Sequence, residues 1–382
     1  MRETTAPCDP SFTFAMLIFD SMHDRKRLTT RRSVLLCAGL LPVCGRAAGL
    51  EQVDLFRQGD GGVHTYRIPA LLETRRGDLL AVADARHDGS GDLPGRISLV
   101  MRRSRDGGRT WSAVRTLRAV PEGGVGDASL LLDRKSGRIW CFHAFGPPGV
   151  GFATAESRRL QAHAISSDDD GETWSAPVDL TPQIQDPAWQ AMFVTSGTHF
   201  ETSRGRFLAP LVVRDGDGVV SARNAYSDDR GRTWKVGKAI GAGTDESKAV
   251  ELADGIVLQN LRNGKTRAVA RSRDGGVTFD AVAHDEALVD PGCNAGLARR
   301  RDLLVFTNAA APQRRNLTVK ISADGGRSWS PGRTLHAGPA AYSTVIPLRD
   351  GTLGVLYECG EQSSTERIVF ARFDAAWARA QP

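Results

Sequence analysis

One eight-residue phrase, Ser-x-Asp-x-Gly-x-Thr-Trp, recurs five times and limits the fold more than any other feature of the chain. The copies are Ser104–Trp111, Ser167–Trp174, Ser227–Trp234, Ser272–Phe279 and Ser322–Trp329, the fourth ending in Phe and the fifth carrying Ser328 for Thr. Their starts are 63, 60, 45 and 50 residues apart. Each copy reads as a hairpin turn: the Asp accepts hydrogen bonds from the turn backbone, the Gly permits positive φ, and the aromatic packs into a sheet. Five copies cannot share one active site, so the repeated Asp is read as structural. A second pattern, a turn entering an apolar strand, recurs six times. It begins at Gly77, Gly137, Gly205, Gly255, Asp302 and Gly351. No helical periodicity separates the copies. Six hairpin-rich units of about 50–60 residues match blades of four strands each. Radial closure would also protect the strand edges. The chain therefore reads as all-β, a single six-bladed β-propeller over residues 50–382, its repeats ending near residue 376.

Residues 1–49 read as an address rather than as fold. Basic residues from Arg25 to Arg32 precede an apolar run from Val34 to Val43 and small residues at Gly45, Ala47 and Ala48. This is the charged, apolar, small-residue order of an export signal. The paired Arg31-Arg32 before Leu35-Leu36 resembles a twin-arginine signal. Met22 is an alternative start at a usual distance before the arginines. Cys44 sits in a poor lipid-attachment box, because Val43 is bulky. The apolar run is too short to span a bilayer. The expectation is a periplasmic or secreted protein with no membrane span.

Charge excludes one class of partner. The chain carries a formal +6, and residues 1–49 hold seven basic and four acidic residues, so the remainder carries 6 − 3 = +3. That is too little, and too scattered, for nucleic acid. Outside the leader, Cys141, Cys293 and Cys359 show no metal-ligand spacing. They read as buried thiols, with one disulfide left open. No metal or organic cofactor is expected. Oligomeric state is open, with a monomer favoured because the closed fold needs no partner.

Polar residues just beyond apolar inner strands are the candidates for chemistry. Arg67 lies in Tyr66-Arg67-Ile68-Pro69, Arg262 follows Leu258-Gln259-Asn260-Leu261, and Arg314 lies beyond Val305-Phe306-Thr307-Asn308. Three guanidinium forks from three blades could hold one carboxylate with permanent charge.

The run Tyr66 to Leu72 resembles the Arg-Ile-Pro motif of the exo-α-sialidases. Together with the five Asp boxes and six repeats, the resemblance extends from about residue 51 to Trp377 and is nearest to secreted bacterial sialidases. It implies that Arg67, Arg262 and Arg314 bind the carboxylate of a terminal sialic acid on a glycan, with Arg315 adjacent to the third. It implies that Arg86 lies near C4 of the sugar, and that Asp92 is the acid/base, with Asp88 as a rival. Glu246 would assist the nucleophile, with Glu251 as a rival, and Tyr342 would be the nucleophile. Asp127 and Asn294 would be further pocket residues. Phe145, Phe152, Trp189 and Phe193 are candidates for an N-acyl pocket.

Most retaining glycosidases use a carboxylate nucleophile, and sialidases with a tyrosine are an exception. A neutral phenol avoids repulsion by the substrate's own carboxylate. Free tyrosine titrates near 10, so it needs a base beside it. Three other outcomes fit parts of the pattern: a trans-sialidase or anhydro-forming enzyme, a binding propeller without catalysis, and an Asp-box scaffold.

Overall fold

A computed structural model describes residues 49–152 and 160–380. Apart from Gly49, the expected export signal, with Met22 and Cys44, lies outside the described residues. The described chain is all-β, with only two short α-helices, Thr181–Ile184 and Ala375–Arg379. Among the described residues no helix is long and apolar enough to cross a membrane.

Five sheets follow one another along the chain. The first joins Thr65–Glu73, Leu79–Arg86, Ile97–Ser104 and Arg115–Arg118. The second joins Gly124–Leu132, Ile139–Gly146, Gln161–Ser167 and Val178–Asp179, and Gly197–Thr198 adds to its first strand in parallel. The third is built on Phe207–Arg214 and Val220–Ser227, the fourth on Ser247–Glu251, Val257–Asn263, Thr266–Ser272 and Ala283–Val289. The sequence led us to expect two further four-stranded units, but they form one seven-stranded sheet. The reason is a single 15-residue strand, Arg333–Pro347. It pairs with Arg315–Ser322 through Arg333–Pro339 and with Leu353–Cys359 through Ala340–Pro347. The first strand among the described residues, Glu51–Arg57, completes this last sheet by pairing with Arg367–Phe373.

In the first, second and fourth sheets burial falls from the first strands to the last. Thr65–Glu73 and Leu79–Arg86 are buried almost throughout, whereas Val178–Asp179 is exposed. Strands covered on both faces read as continuous apolar runs, which is why periodicity alone was a weak guide to them. Cys141, Cys293 and Cys359 are buried free thiols.

The repeated turns act as clips between sheets. Asp106 accepts from the backbone N–H of Arg109 and Thr110 at 3.0 and 2.9 Å and from the Thr110 hydroxyl at 2.6 Å. Gly108, at φ +94°, has no room for a side chain, since a Cβ would stand 2.1 Å from the Phe370 ring of the last sheet. The equivalent glycines press on the sheet before their own: Gly171 on Leu80, Gly231 on Trp140, Gly276 on Leu208, and Gly326 on Leu258.

Candidate active site

Three innermost strands break register where they carry site residues. The breaks fall between Arg67 and Ala70, between Gly126 and Ser129, and between Ala340 and Ser343. Ile68 and Asp127 take left-handed backbone at φ 60° and 59°, an uncommon state for a residue with a side chain. Bulges of this kind redirect a side chain out of the regular alternation. Here they turn Arg67, Asp127 and Tyr342 toward one cleft or its floor.

Tyr342 is the centre of the arrangement. Its hydroxyl donates to Glu246 Oε2 at 2.6 Å and accepts from Arg262 Nη1 at 3.1 Å. The same Nη1 donates to Glu246 Oε2 at 2.8 Å. The guanidinium carbons of Arg67 and Arg314 stand 5.1 and 5.6 Å from the Tyr342 ring centroid. All three expected arginines are thus gathered on one phenol. The third is Arg314 rather than Arg315, which lies in a strand opposite Pro339. Arg314 itself is exposed and donates to the Gly292 carbonyl at 3.1 Å.

A cleft of roughly 190 Å³ opens over Tyr342. Asp92, Asp127, Asp245, Glu246 and Arg262 form its polar wall, and Ile68, Leu93, Phe152, Leu160 and Phe193 its apolar wall. Phe152 and Phe193 meet edge to face at 5.0 Å. The other two aromatic candidates are elsewhere: Phe145 stacks on His163 at 5.1 Å, and Trp189 lies under Arg223 at 4.9 Å.

Asp92 sits on an exposed loop, its side chain 80% accessible, and meets the buried Arg86 at 2.6 Å. Arg86 also donates to the Ser90 carbonyl at 2.5 Å. It therefore ties the loop to the end of its strand. Asp88 points away into an exposed pair with Arg96 at 2.6 Å. Glu251, at the far end of the strand Ser247–Glu251 that follows Glu246, is occupied by the Ser203 backbone and hydroxyl.

Asn294 corrects the sequence expectation. It is not on the cleft wall: its amide donates to Ser196 Oγ at 2.9 Å, and its carbonyl accepts from Lys248 Nζ at 2.6 Å. Its side chain is fully engaged by neighbours in the interior.

Three residues escaped the sequence reading. Glu358 accepts from Arg67 Nε and Nη2 at 3.0 Å each, and from the Ile68 and Tyr342 backbone at 2.8 and 3.1 Å. That fork leaves Arg67 Nη1 outside the pair. Asp84 accepts from the Asp127 backbone at 3.1 Å and stands 3.6 Å from Arg86. Lys248, two residues after Glu246, is described below. A signal existed for the first two. Glu358 is a charge inside the buried run Leu353–Cys359, and Asp84 shares a strand face with Arg86 two residues on.

Burial decides the electrostatics. Burial raises the Tyr342 phenol well above its ordinary value, and Glu246 adds to the rise while Arg262 and Arg67 oppose it. Burial and Asp245 raise Glu246, against Arg262 and the Tyr342 hydrogen bond. Burial pushes Asp84 up to about 7, with Arg86 opposing and Asp92 adding to it. Asp127 is raised by burial, then by Asp84, Asp92 and Glu246. For Glu358 burial acts upward too, but Arg67 and the two backbone N–H groups prevail and hold it below the usual range. The result is a fixed ion pair beside the phenol and a set of carboxyls around it whose charge burial disfavours. Among the described residues no cluster of three or more His, Cys, Asp or Glu is placed to hold a metal.

A repeat-built all-β scaffold with three arginines around a buried tyrosine–glutamate pair defines a class, and sequence comparison places the chain within it. The BNR repeat-like domain family matches residues 125–355. The sialidase of Micromonospora viridifaciens is 38% identical over 88% of this chain and 55% of its own length. That of Bacteroides fragilis is 34% identical over 83% and 64%. This chain therefore spans between half and two thirds of those curated relatives. The solved structure of the Hadza microbial sialidase Hz136 superposes with a TM-score of 0.79 at 31% identity, covering 86% of this chain and 69% of that one. An intramolecular trans-sialidase from Ruminococcus gnavus, in complex with oseltamivir carboxylate, shares the fold at a TM-score of 0.74 and 19% identity. The chain belongs to the bacterial sialidase family.

Proposed function

We propose that this protein is an exported exo-α-sialidase that releases terminal α-linked sialic acid from glycans with retention, on a closed six-bladed propeller. The observation that carries the reading is the 2.6 Å hydrogen bond from the Tyr342 hydroxyl to the Glu246 carboxylate, ringed by Arg67, Arg262 and Arg314. In this mechanism the arginines hold the substrate carboxylate over the phenol. The Tyr342 oxygen attacks the anomeric carbon while its proton passes to Glu246. The glycosidic C–O bond breaks as Asp92 protonates the leaving oxygen. Water, deprotonated by Asp92, then displaces the tyrosine, and Glu246 returns the proton to it. Two inversions at one carbon give retention.

The arginines matter because the free phenol lies far from ionisation. Their charges stabilise the phenolate only as it develops, which is where stabilisation accelerates a reaction. The apolar wall of Leu93, Phe152, Leu160 and Phe193 suits an acyl group on the same sugar. Ring closure is supported by the clip glycines, since Gly108 of the first sheet presses on Phe370 of the last.

The test is release of sialic acid from an α-sialoside by the purified protein, with the anomer of the first product read by proton NMR. Formation of the α-anomer supports the mechanism. The β-anomer would overturn retention, and an anhydro product would replace hydrolysis by internal transfer.

A further inference from the structure

Lys248 lies in the strand Ser247–Glu251, two residues after Glu246, which directly precedes that strand; their backbones are at most about 7 Å apart. Lys248 is 3% exposed, a position lysine almost never takes. Its Nζ donates to the Ser196 carbonyl at 2.7 Å and to Asn294 Oδ1 at 2.6 Å. Both acceptors are neutral. Asn294 is itself fixed by Ser196. Room for the ammonium comes from Gly197, where a Cβ would stand 2.9 Å from Lys248 Cε and 3.3 Å from Nζ. Two other parts of the chain are thus shaped to keep one buried cation on a residue two positions from Glu246. A buried charge held by neutral groups is costly unless its field serves a purpose.

The charged neighbours define that purpose. Glu246 is faced by Asp245 beside it, by Arg262 and Arg267 from the same sheet, by Asp127 and by Tyr342. Lys248 is faced by Glu246, Arg267 and His199. Asp245 and Asp127 both favour a protonated Glu246, which would be useless as a base.

We propose that Lys248 is a positioning residue whose buried ammonium keeps Glu246 a carboxylate, ready to take the Tyr342 proton. The proposal rests on the assignment of Tyr342 as nucleophile and Glu246 as its base. Burial lowers Lys248 to about 7, with Glu246 acting to raise it. Its charge is therefore fullest in the acid half of a pH profile, where protonation of Glu246 would stop the reaction.

The test compares wild type with Lys248→Met and with Asn294→Asp. The second keeps the side-chain volume and puts an anion where the ammonium now has a neutral acceptor. Two readouts are taken: the acid limb of kcat/KM against pH, and the carboxyl carbon resonance of 13C-labelled glutamate that disappears in Glu246→Gln. Both midpoints are expected to move upward by roughly one to two pH units, as a charge about 7 Å away in a medium of effective dielectric about 20 would require. If Lys248→Met does not fold, Asn294→Asp carries the test alone. A folded variant with an unmoved carboxyl midpoint and a rate reduced evenly at every pH overturns the proposal. If wild type releases no sialic acid but the carboxyl midpoint still moves, the charge coupling stands and the assigned reaction falls.

Discussion

The aspartates of the repeated turns and the carboxyl groups of the cleft are one chemical type placed in two opposite environments. At the rim, Asp169, Asp229 and Asp274 are held down to about 2, chiefly by hydrogen bonds from turn hydroxyls and backbone N–H groups; at Asp274 burial opposes this and is outweighed. In the cleft, burial pushes Asp84, Asp127 and Glu246 the other way. A rim carboxylate has one task, to order its own turn, and needs its charge permanently. The buried cleft carboxyls are costly to ionise, and their charge is favoured only where a cation or a hydrogen bond offsets burial, as Arg262 and Tyr342 do at Glu246. The rim is where stability is built, and the cleft is where it is given up.

The sharpest way to break that contrast is at its centre. Tyr342→Phe removes the nucleophilic oxygen but keeps the ring between Arg67 and Arg314. Hydrolysis of an α-sialoside is expected to fall by at least about 10³-fold, with the melting temperature within a few degrees of wild type. A variant that kept a tenth of the rate would show that the phenol is only packed there.

The reverse substitution belongs at the rim. Asp274 accepts from Val277 N, Thr278 N, Ser272 Oγ and Thr278 Oγ1 at 2.6–3.1 Å. Asp274→Ala is expected to cost about 1 kcal/mol, after allowing for solvent screening, and to lower the melting temperature by about 1–2 °C for a domain of this size. Turnover at 25 °C is expected to be unchanged. A loss of activity without a loss of stability would contradict the structural assignment of the boxes.

The two environments also predict opposite pH slopes. Folding lowers the rim pKa values, so their stabilisation is present above about 4 and is lost as pH falls toward about 2. Folding raises Asp84 to about 7, so between about 4 and 7 the folded state binds the extra proton. Stability from this group therefore falls as pH rises through that window. Asp84→Asn removes the titration. Its melting temperature should gain on wild type by a few degrees from pH 4 to pH 7. A constant difference across the window would mean that Asp84 does not titrate there.

How much of this was legible in the sequence follows from the same contrast. The turns repeat, so their spacing exposed the all-β organisation, and Ser104 to Trp111 could be read without neighbours. Arg67 and Arg262 were found from their place beside apolar strands together with a family motif, whereas Glu246 and Tyr342 were found only through the family resemblance. The fused seven-stranded sheet was not legible, because nothing in Arg333–Pro347 marks where one partner strand stops and the next begins. Asp84, Glu358 and Lys248 were missed for a different reason. Their roles exist only through contacts hundreds of residues apart in some cases, such as Arg67 with Glu358. Asn294 was named only through the family resemblance, which does not say whether a side chain faces the cleft or the interior.

The smallest expected effect decides between neighbours on one loop. Asp88 and Asp92 both follow Arg86, and spacing alone left them as rivals for the acid/base. The structure pairs Asp88 with Arg96 in solvent and places Asp92 on the cleft wall against Arg86. An exposed pair of this kind contributes little, so Asp88→Asn should leave kcat/KM within about twofold. Asp92→Asn should depend on the substrate. A natural sialyl linkage has a poor leaving group and needs the proton, whereas an aryl sialoside with an acidic phenol leaves almost unaided. The loss should therefore be much larger, by about 10² or more, on the natural linkage. Equal losses on both substrates would assign Asp92 to binding. A larger loss in Asp88→Asn than in Asp92→Asn would return the role to the rival and require the loop to reorganise around bound sugar.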